Sequence, residues 1–366
     1  MHARIWIKRW LLLALIIPLI GLFNYLVDPY GFNQFVSIEK FNKIKESNAG
    51  FSIKYKMPIL AKGTWTNLML GSSKIGVMDN HVVDHYLGGK TFNMDQPTPA
   101  MPIQFDAFMY AVHFNTIKNL IFAVDFLAFN KNLSLNSDYI QLKKKVRTYG
   151  YFNNLDLYLN IDTLKTSLKV IKQNFSGKAT RKLHFYPNGM REYANYIDAY
   201  KKGVFDPKKN MKKHLKLYFE PEKGIYSHYE YSDDFMQQVK QIITYCRKHH
   251  IHTYVYISPV YVEHFYAIKA AGLLDEYEHF KRELVKITDY IDFTGVNSIT
   301  CNPNNYWDSS HLKIELTKVV MAKLFHDKSL KGYQDFGTLV TPTTIETHLK
   351  KQRQQYKAID LNHILN

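Results

Sequence analysis

Cysteine is nearly absent: Cys246 and Cys301 are the two in 366 residues. A disulfide-built scaffold is therefore excluded, leaving either one bridge between them or two unrelated thiols. Acid is also scarce, with 32 Asp and Glu against 48 Lys and Arg and a formal net charge of +16. Such an excess favours anionic partners, whether nucleic acid, lipid head groups or acidic glycans, and says nothing about fold. Nucleic acid is the least favoured, since no zinc-finger, RNA-recognition or helix-turn-helix pattern occurs. There is no Gly-rich phosphate loop, no internal repeat and no low-complexity tract. His81 and His85 have a zinc-like spacing of four, but the Glu of the metalloprotease motif is missing and no third ligand is apparent. No metal or organic cofactor is expected. His249, His250 and His252 follow a predicted helix end, where they complement its dipole.

Hydrophobic residues make up 46% of the chain, enough for a sizeable core in one large domain or two modest ones. The longest apolar run, Trp10 to Val27, is broken by Pro18, Gly21 and Asn24 and is preceded by Arg4, Lys8 and Arg9. Its length is near the minimum for a bilayer core, and the basic flank stays on the cytoplasmic side. A cleaved signal peptide would need an A-x-A-like site, and Asn24-Tyr25-Leu26-Val27-Asp28-Pro29 offers none. The expected layout is a cytoplasmic flank (1–9), a single transmembrane anchor (10–27), a lead-in (28–60) and an extracytoplasmic domain (61–327). A C-terminal tail with a peripheral helix (328–366) completes it. The location would be the inner membrane, with the domain in the periplasm or its equivalent.

Within the domain, strand-length apolar runs alternate with amphipathic stretches. The runs are Asn67–Leu70, Thr91–Met94, Leu120–Val124, Thr253–Ile257 and the weaker Tyr290–Phe293. The helical stretches are Ile103–Thr116, one marked by Phe235, Val239, Ile242, Ile243 and Cys246 with Ser232 as N-cap, Leu273–Ile287 and Ile314–Phe325. This alternation predicts an α/β fold, a three-layer flavodoxin-like parallel sheet, with the active site at the C-terminal ends of the strands. Residues 130–226 break the rhythm and read as a helical insertion. Its clearest helix carries Ile161, Leu164, Leu168, Ile171 and Phe175, with Lys165, Lys169 and Lys172 interleaved. The plain reading is a solvated face; a surface for an anionic polymer or membrane is the alternative.

Two short motifs carry chemistry. Leu70-Gly71-Ser72-Ser73-Lys74 places serines directly after a strand, where a hydroxyl is exposed at the sheet edge and amides face a developing oxyanion. Trp307-Asp308-Ser309-Ser310-His311 places an Asp three residues before a His, which can orient the ring and leave its other nitrogen free to take a serine proton. Each alone is weak, since the first is also an ordinary strand-to-helix turn and the second an ordinary helix cap.

In this order the two motifs resemble the SGNH (GDSL-like) hydrolase superfamily. Gly71-Ser72-Ser73 stands where that family has its Gly-Asp-Ser block, so the resemblance makes Ser73 the nucleophile, His311 the base and Asp308 its orienting acid. The segment Val27-Asp28-Pro29-Tyr30-Gly31 and the stretch Asp292-Phe293-Thr294-Gly295-Val296-Asn297 are similar to a membrane-anchored branch. The D-alanyl-transfer protein of teichoic acid synthesis and alginate O-acetylation proteins share parts of that plan. The family's second-block glycine is missing from Asn93-Met94-Asp95-Gln96-Pro97, and its third block is replaced by Val124-Asp125-Phe126-Leu127-Ala128-Phe129-Asn130. The oxyanion donors expected are the Ser73 amide and the side chains of Gln96 or Asn130. The resemblance implies a serine esterase or O-acyltransferase acting on acyl groups of cell-envelope glycans. The expected partners are the membrane, an anionic or acylated envelope polymer and, for transfer, a membrane protein supplying the acyl donor. The competing expectation is a non-catalytic accessory protein that binds anionic envelope polymer.

Overall fold

Leu68 and Leu70 fall on one face of a strand and Met69 on the other, and all three are fully buried. The same alternation holds for Leu120 and Phe122 against Ile121 and Ala123, and for Val255 and Ile257 against Tyr256. A strand that is apolar on both faces must be covered on both, which defines a three-layer α/β arrangement. The computed structural model shows that arrangement over the residues it describes, 2–33, 35–97, 100–192, 194–329 and 331–360. The side chains of 2–5, 7–9, 11–13 and 194–195 stand outside the described residues.

The strands are β1 (Asn67–Ser72), β2 (Thr91–Gln96), β3 (Asn119–Ala123), the two-residue pair β4 (His184–Phe185) and β5 (Arg191–Glu192), then β6 (His252–Ile257), β7 (Tyr290–Asp292) and β8 (Thr338–Val340). The helices are α1 (His2–Val27), α2 (Ser52–Lys62), α3 (Ser73–Gly76), α4 (Asn80–Leu87), α5 (Met101–Phe114), α6 (Ser137–Arg147), α7 (Leu155–Tyr158) and α8 (Ile161–Phe175). They continue as α9 (Ala194–Lys201), α10 (Pro207–Phe219), α11 (Asp233–Lys248), α12 (Val262–Ala270), α13 (Leu274–Ile287), α14 (Thr317–Leu324) and α15 (Ile345–Gln355). The main sheet has the order β2-β1-β3-β6-β7-β8, with the first five strands parallel and β8 antiparallel at the edge. The chain turns one way from β1 to β2 and the other way to β3. The crevice beyond the C-terminal ends of β1 and β3 is thus the topological switch point, where ligands bind in such sheets. Gly71 permits this close pairing, because a Cβ there would lie 2.9 Å from both the Cβ and the carbonyl oxygen of Ala123.

Helices α2, α5, α11 and α13 cover one face through Met57, Phe108, Ile242 and Leu284. Helices α4 and α14 cover the other through Val83 and Val320. Ser232 caps α11 as its position in the sequence suggests, accepting from the Phe235 amide.

The flanking segments are more deeply integrated than the sequence implied. The end of the lead-in forms α2, whose Ile53, Met57 and Leu60 are in the core. Its N-terminus is capped from the insertion, because Asp138 Oδ2 accepts from the amides of Ile53 (2.7 Å) and Lys54 (3.0 Å). The tail is no peripheral appendage. It supplies β8, and its helix α15 places His348 Nε2 2.8 Å from Asp292 Oδ2, which Lys281 Nζ also approaches at 2.7 Å. Burial alone would raise the Asp292 carboxyl, but Lys281 and then His348 hold it well below the usual carboxylate range. The Asp292–Asn297 stretch thereby fastens the tail to the sheet.

Helix α1 extends over the basic flank and the apolar run. Among the described residues no helix is long and apolar enough to cross a membrane; the side chains of residues 11–13 of the expected anchor lie outside them. The cysteines are both free, with Cys246 buried in α11 and Cys301 exposed. Burial pushes the Cys246 thiol up to about 12. A native thiol titration should therefore detect Cys301 alone, with Cys246 reacting only after denaturant is added; equal native reactivity of both would contradict this packing.

Candidate functional site

Ser73 opens α3 directly after β1, and His311 lies in the loop before α14, 238 residues away in sequence. The fold brings them together: Ser73 Oγ is 2.8 Å from His311 Nε2. On the other side of the ring, His311 Nδ1 is 2.7 Å from Asp308 Oδ2 and 2.9 Å from Oδ1. An ionised carboxylate on Nδ1 fixes the proton there, so Nε2 faces the serine with its lone pair; this tautomer follows from the hydrogen-bond network. Burial of Asp308 would raise its carboxyl, but His311 and the hydrogen bond from the Ser310 amide hold it well below the usual range and keep it ionised. Asp308 Oδ1 also accepts from the amides of Ser310 and His311, both at 2.9 Å. The loop that presents the pair is closed by Trp307 N donating to His311 O (2.9 Å) and by a bridge between Tyr306 and Leu312. The three-residue Asp-to-His spacing is thus held by a tight loop rather than by a helical turn.

The turn at Ser73 is held from β3. Asp125, just beyond that strand, accepts from Ser72 Oγ and is 3.2 Å from Lys74 Nζ. One buried carboxylate therefore grips the residues on both sides of Ser73. Ser72 is occupied as this tie and as N-cap of α3, which separates its role from that of Ser73. Asp125→Ala should lower acyl turnover by roughly 10- to 100-fold through misplacement of Ser73, with KM little changed; turnover equal to wild type would remove Asp125 from the site.

The oxyanion candidates differ in their surroundings. Gln96, at the end of β2 and in register with Ser72, accepts from Ser52 Oγ at 2.7 Å, while its buried Nε2 has no partner among the described residues. A buried donor left over in this way is costly unless something else occupies it. Asn130 is employed elsewhere: its Oδ1 accepts from the amides of Asn132 (3.1 Å) and Glu230 (3.0 Å), and it pairs with Tyr231. Neither Gln96 nor Asn130 lines the cavity at Ser73. That cavity is lined by Ser72, Ser73, Lys74, Asp125, Leu127, Ala128 and Tyr218 and measures about 10 Å³, room for roughly one water molecule.

The insertion contributes to the site, which its sequence did not suggest. His214 of α10 places Nδ1 3.0 Å from Ser309 Oγ and 3.3 Å from Asp308 Oδ1, and Tyr218 one turn later walls the cavity. His264 of α12 reaches the same hydroxyl at 3.2 Å, so Ser309 can donate to one imidazole and accept from the other. Burial pushes His214 down to about 4 against the pull of Asp308, and His264 well below its ordinary value, so both rings are neutral near pH 7. The available signal was a histidine at a helix position shared with Met211, Leu215 and Tyr218, all buried. His214, Asp308 and His311 also bring ligand atoms within 4.8 Å of one another, the one such group among the described residues. A cation there would have to compete for Asp308 oxygens that already accept from His311 Nδ1 and two amides. His81 and His85 lie exposed on α4, away from this group.

No family model matches the chain, and no curated protein matches it. The site is defined by its own geometry: a hydroxyl, an imidazole and a buried carboxylate hydrogen-bonded in series at the switch point of a parallel sheet.

Proposed function

We propose that this protein is a membrane-anchored serine esterase or O-acyltransferase of the SGNH type, acting outside the cytoplasm on short acyl groups of cell-envelope glycans. The observation that carries this reading is the unbroken series Ser73–His311–Asp308 at 2.8 and 2.7 Å. A polymer-binding accessory protein would have no use for it.

In the proposed cycle His311 Nε2 takes the Ser73 proton as Oγ attacks the ester carbonyl. The tetrahedral oxyanion is received by the Ser73 amide. The ester C–O bond then breaks, His311 protonates the departing alkoxide, and the acyl group remains on Ser73. Water, or a glycan hydroxyl in the transferase case, loses its proton to His311 and attacks the acyl-enzyme, restoring the serine. These steps use no metal. The net charge of +16 suits an anionic polymer as acceptor, and transfer would require a membrane partner that supplies the acyl donor.

The anchor is α1. Its Leu15, Ile16, Ile17, Leu19 and Leu22 are about half or more exposed, a pattern suited to lipid rather than water. At 26 residues it is about 39 Å long.

The direct test is a fluorophosphonate probe on the full chain in detergent, with the adduct mapped by mass spectrometry. The expected result is a single stoichiometric adduct on Ser73 that is lost in His311→Ala. A folded protein that stays unlabelled, or is labelled elsewhere, would sink the enzyme reading.

A further inference from the structure

Helix α8 is packed inside out. It turns Thr163, Ser167, Val170 and Asn174 inward and leaves Ile161 (63% exposed), Leu168 (55%) and Phe175 (77%) facing outward, with Leu164 and Ile171 half-buried beside them. Two of the inward polar groups, Ser167 and Asn174, make tertiary hydrogen bonds. Ser167 Oγ donates to Asn24 Oδ1 of α1 (2.9 Å), and Asn174 exchanges two hydrogen bonds with the backbone of Ile44, at 3.0 and 2.8 Å. Asn24 in turn donates to the carbonyls of Tyr158 (2.6 Å) and Asn160 (3.2 Å). Tyr30, just past α1, donates to Thr166 Oγ1 at 3.1 Å. Polar contacts thus fix α8 against the C-terminal end of α1 and leave its apolar stripe uncovered. In water that exposure is unfavourable.

We infer that this stripe of α8 lies in the surface of an anionic phospholipid bilayer, next to the point where α1 leaves it. Three observations select lipid as the occupant. The stripe continues onto α1, whose Leu22 and Leu26 are exposed, through Leu155 and Leu159 at α7, which are 62% and 45% exposed. Lys165, Lys169 and Lys172 run along one edge of the stripe, Lys165 paired with Asp162 (2.9 Å) and Lys169 with Glu46 (2.8 Å). An apolar face edged by lysines is the pattern of a helix lying in the interface plane. Finally, α8 belongs to the insertion that also supplies His214 and Tyr218 to the catalytic cavity. Seating it on the membrane would hold the mouth of the site at a set height above the lipid.

The inference rests on the anchor part of the proposed function, and the experiment separates the two. In the full chain carrying Cys301→Ser, with Cys246 left buried, single nitroxide labels are placed at Leu19→Cys in α1, Leu168→Cys in α8 and Lys240→Cys on the exposed side of α11. Phe175→Cys serves as a second α8 site, and far-UV circular dichroism checks that each variant is folded. After reconstitution in phosphatidylethanolamine–phosphatidylglycerol vesicles, accessibility to oxygen and to a nickel chelate is read by paramagnetic resonance. The expected result is an oxygen-to-nickel ratio at Leu168 and Phe175 close to that at Leu19 and severalfold above that at Lys240. A lipid-like ratio at Leu19 with a water-like ratio at both α8 sites would overturn the inference while the anchor stands. Protection of the α8 sites from both reagents would also overturn it, by showing protein cover. A water-like ratio at Leu19 would overturn the anchor and the inference together.

Discussion

Ser73→Ala should reduce acyl turnover by roughly four orders of magnitude or more, and His311→Ala by a similar factor. The double variant should be no worse than either single one. The two side chains act as a unit: with no base, the serine hydroxyl is a weak nucleophile, and with no serine, the imidazole has no oxygen to activate. Steady-state hydrolysis of p-nitrophenyl acetate by the full chain in detergent measures this directly. Ser72→Ala is the internal contrast. Its hydroxyl is committed to Asp125 and to the α3 cap, so its loss should cost only what a loosened turn costs, roughly 10-fold. If Ser72→Ala were the more damaging change, the assignment of nucleophile within Gly71-Ser72-Ser73 would be reversed. If the double variant lost the product of the two single factors, Ser73 and His311 would be acting independently and the proton relay would fail.

The parallel sheet was readable because its strands are buried on both faces. Runs such as Leu68-Met69-Leu70 and Leu120-Ile121-Phe122-Ala123 have only one comfortable place, the middle of three layers. The sixth strand was not readable. Thr338-Leu339-Val340 sits at an edge with Thr338 and Leu339 exposed, so no burial pattern marks it. Ser73, Asp308 and His311 can be paired from the amino-acid sequence because each lies in a short local motif at a predictable end of an element. Asp125, His214 and His264 cannot. Their roles come from contacts across 45 residues or more, which no spacing rule encodes. The helix at 161–175 forms where its periodicity predicts, but its apolar stripe faces outward and its polar side inward. The tertiary hydrogen bonds of Ser167 with Asn24 and of Asn174 with Ile44 outweigh the burial of Ile161, Leu168 and Phe175.

Asp95→Ala should destabilise the domain by about 3–5 kcal/mol, the largest loss of stability expected from a single change outside the triad. Asp95 is fully buried at the end of β2, between Lys56 of α2 and Arg191 of the β4–β5 pair, and its carboxylate is bonded to both. Lys56 Nζ also donates to the carbonyls of Asn93 (3.1 Å) and Asp95 (2.9 Å) and sits 4.2 Å from the centroid of the Phe185 ring. Removing the carboxylate leaves the Lys56 cation in a dry interior without its anion. Burial already pushes Lys56 down to about 8 against the attraction of Asp95, so losing that attraction moves it lower still. The sign of the pH dependence follows. A lysine that binds its proton less tightly when folded costs stability wherever the unfolded chain is protonated and the folded one would rather not be. That cost is relieved as the pH rises toward the unfolded value of about 10.4. The Asp95→Ala defect should therefore be smaller at pH 9 than at pH 6, as rough working points within that window. Adding Lys56→Met should recover part of the loss, since an apolar chain of similar length replaces a stranded charge. Chemical denaturation of the four proteins in the cycle provides the measurement. The cluster also bears on catalysis, because a Cβ on Gly76 would lie 2.6 Å from the Asp95 carboxyl carbon. The three-charge cluster packs directly under α3, the helix that Ser73 begins, so turnover and stability should fall together in Asp95→Ala and recover together in the double variant. A defect that is independent of pH and not rescued by Lys56→Met would mean that Asp95 contributes through packing alone.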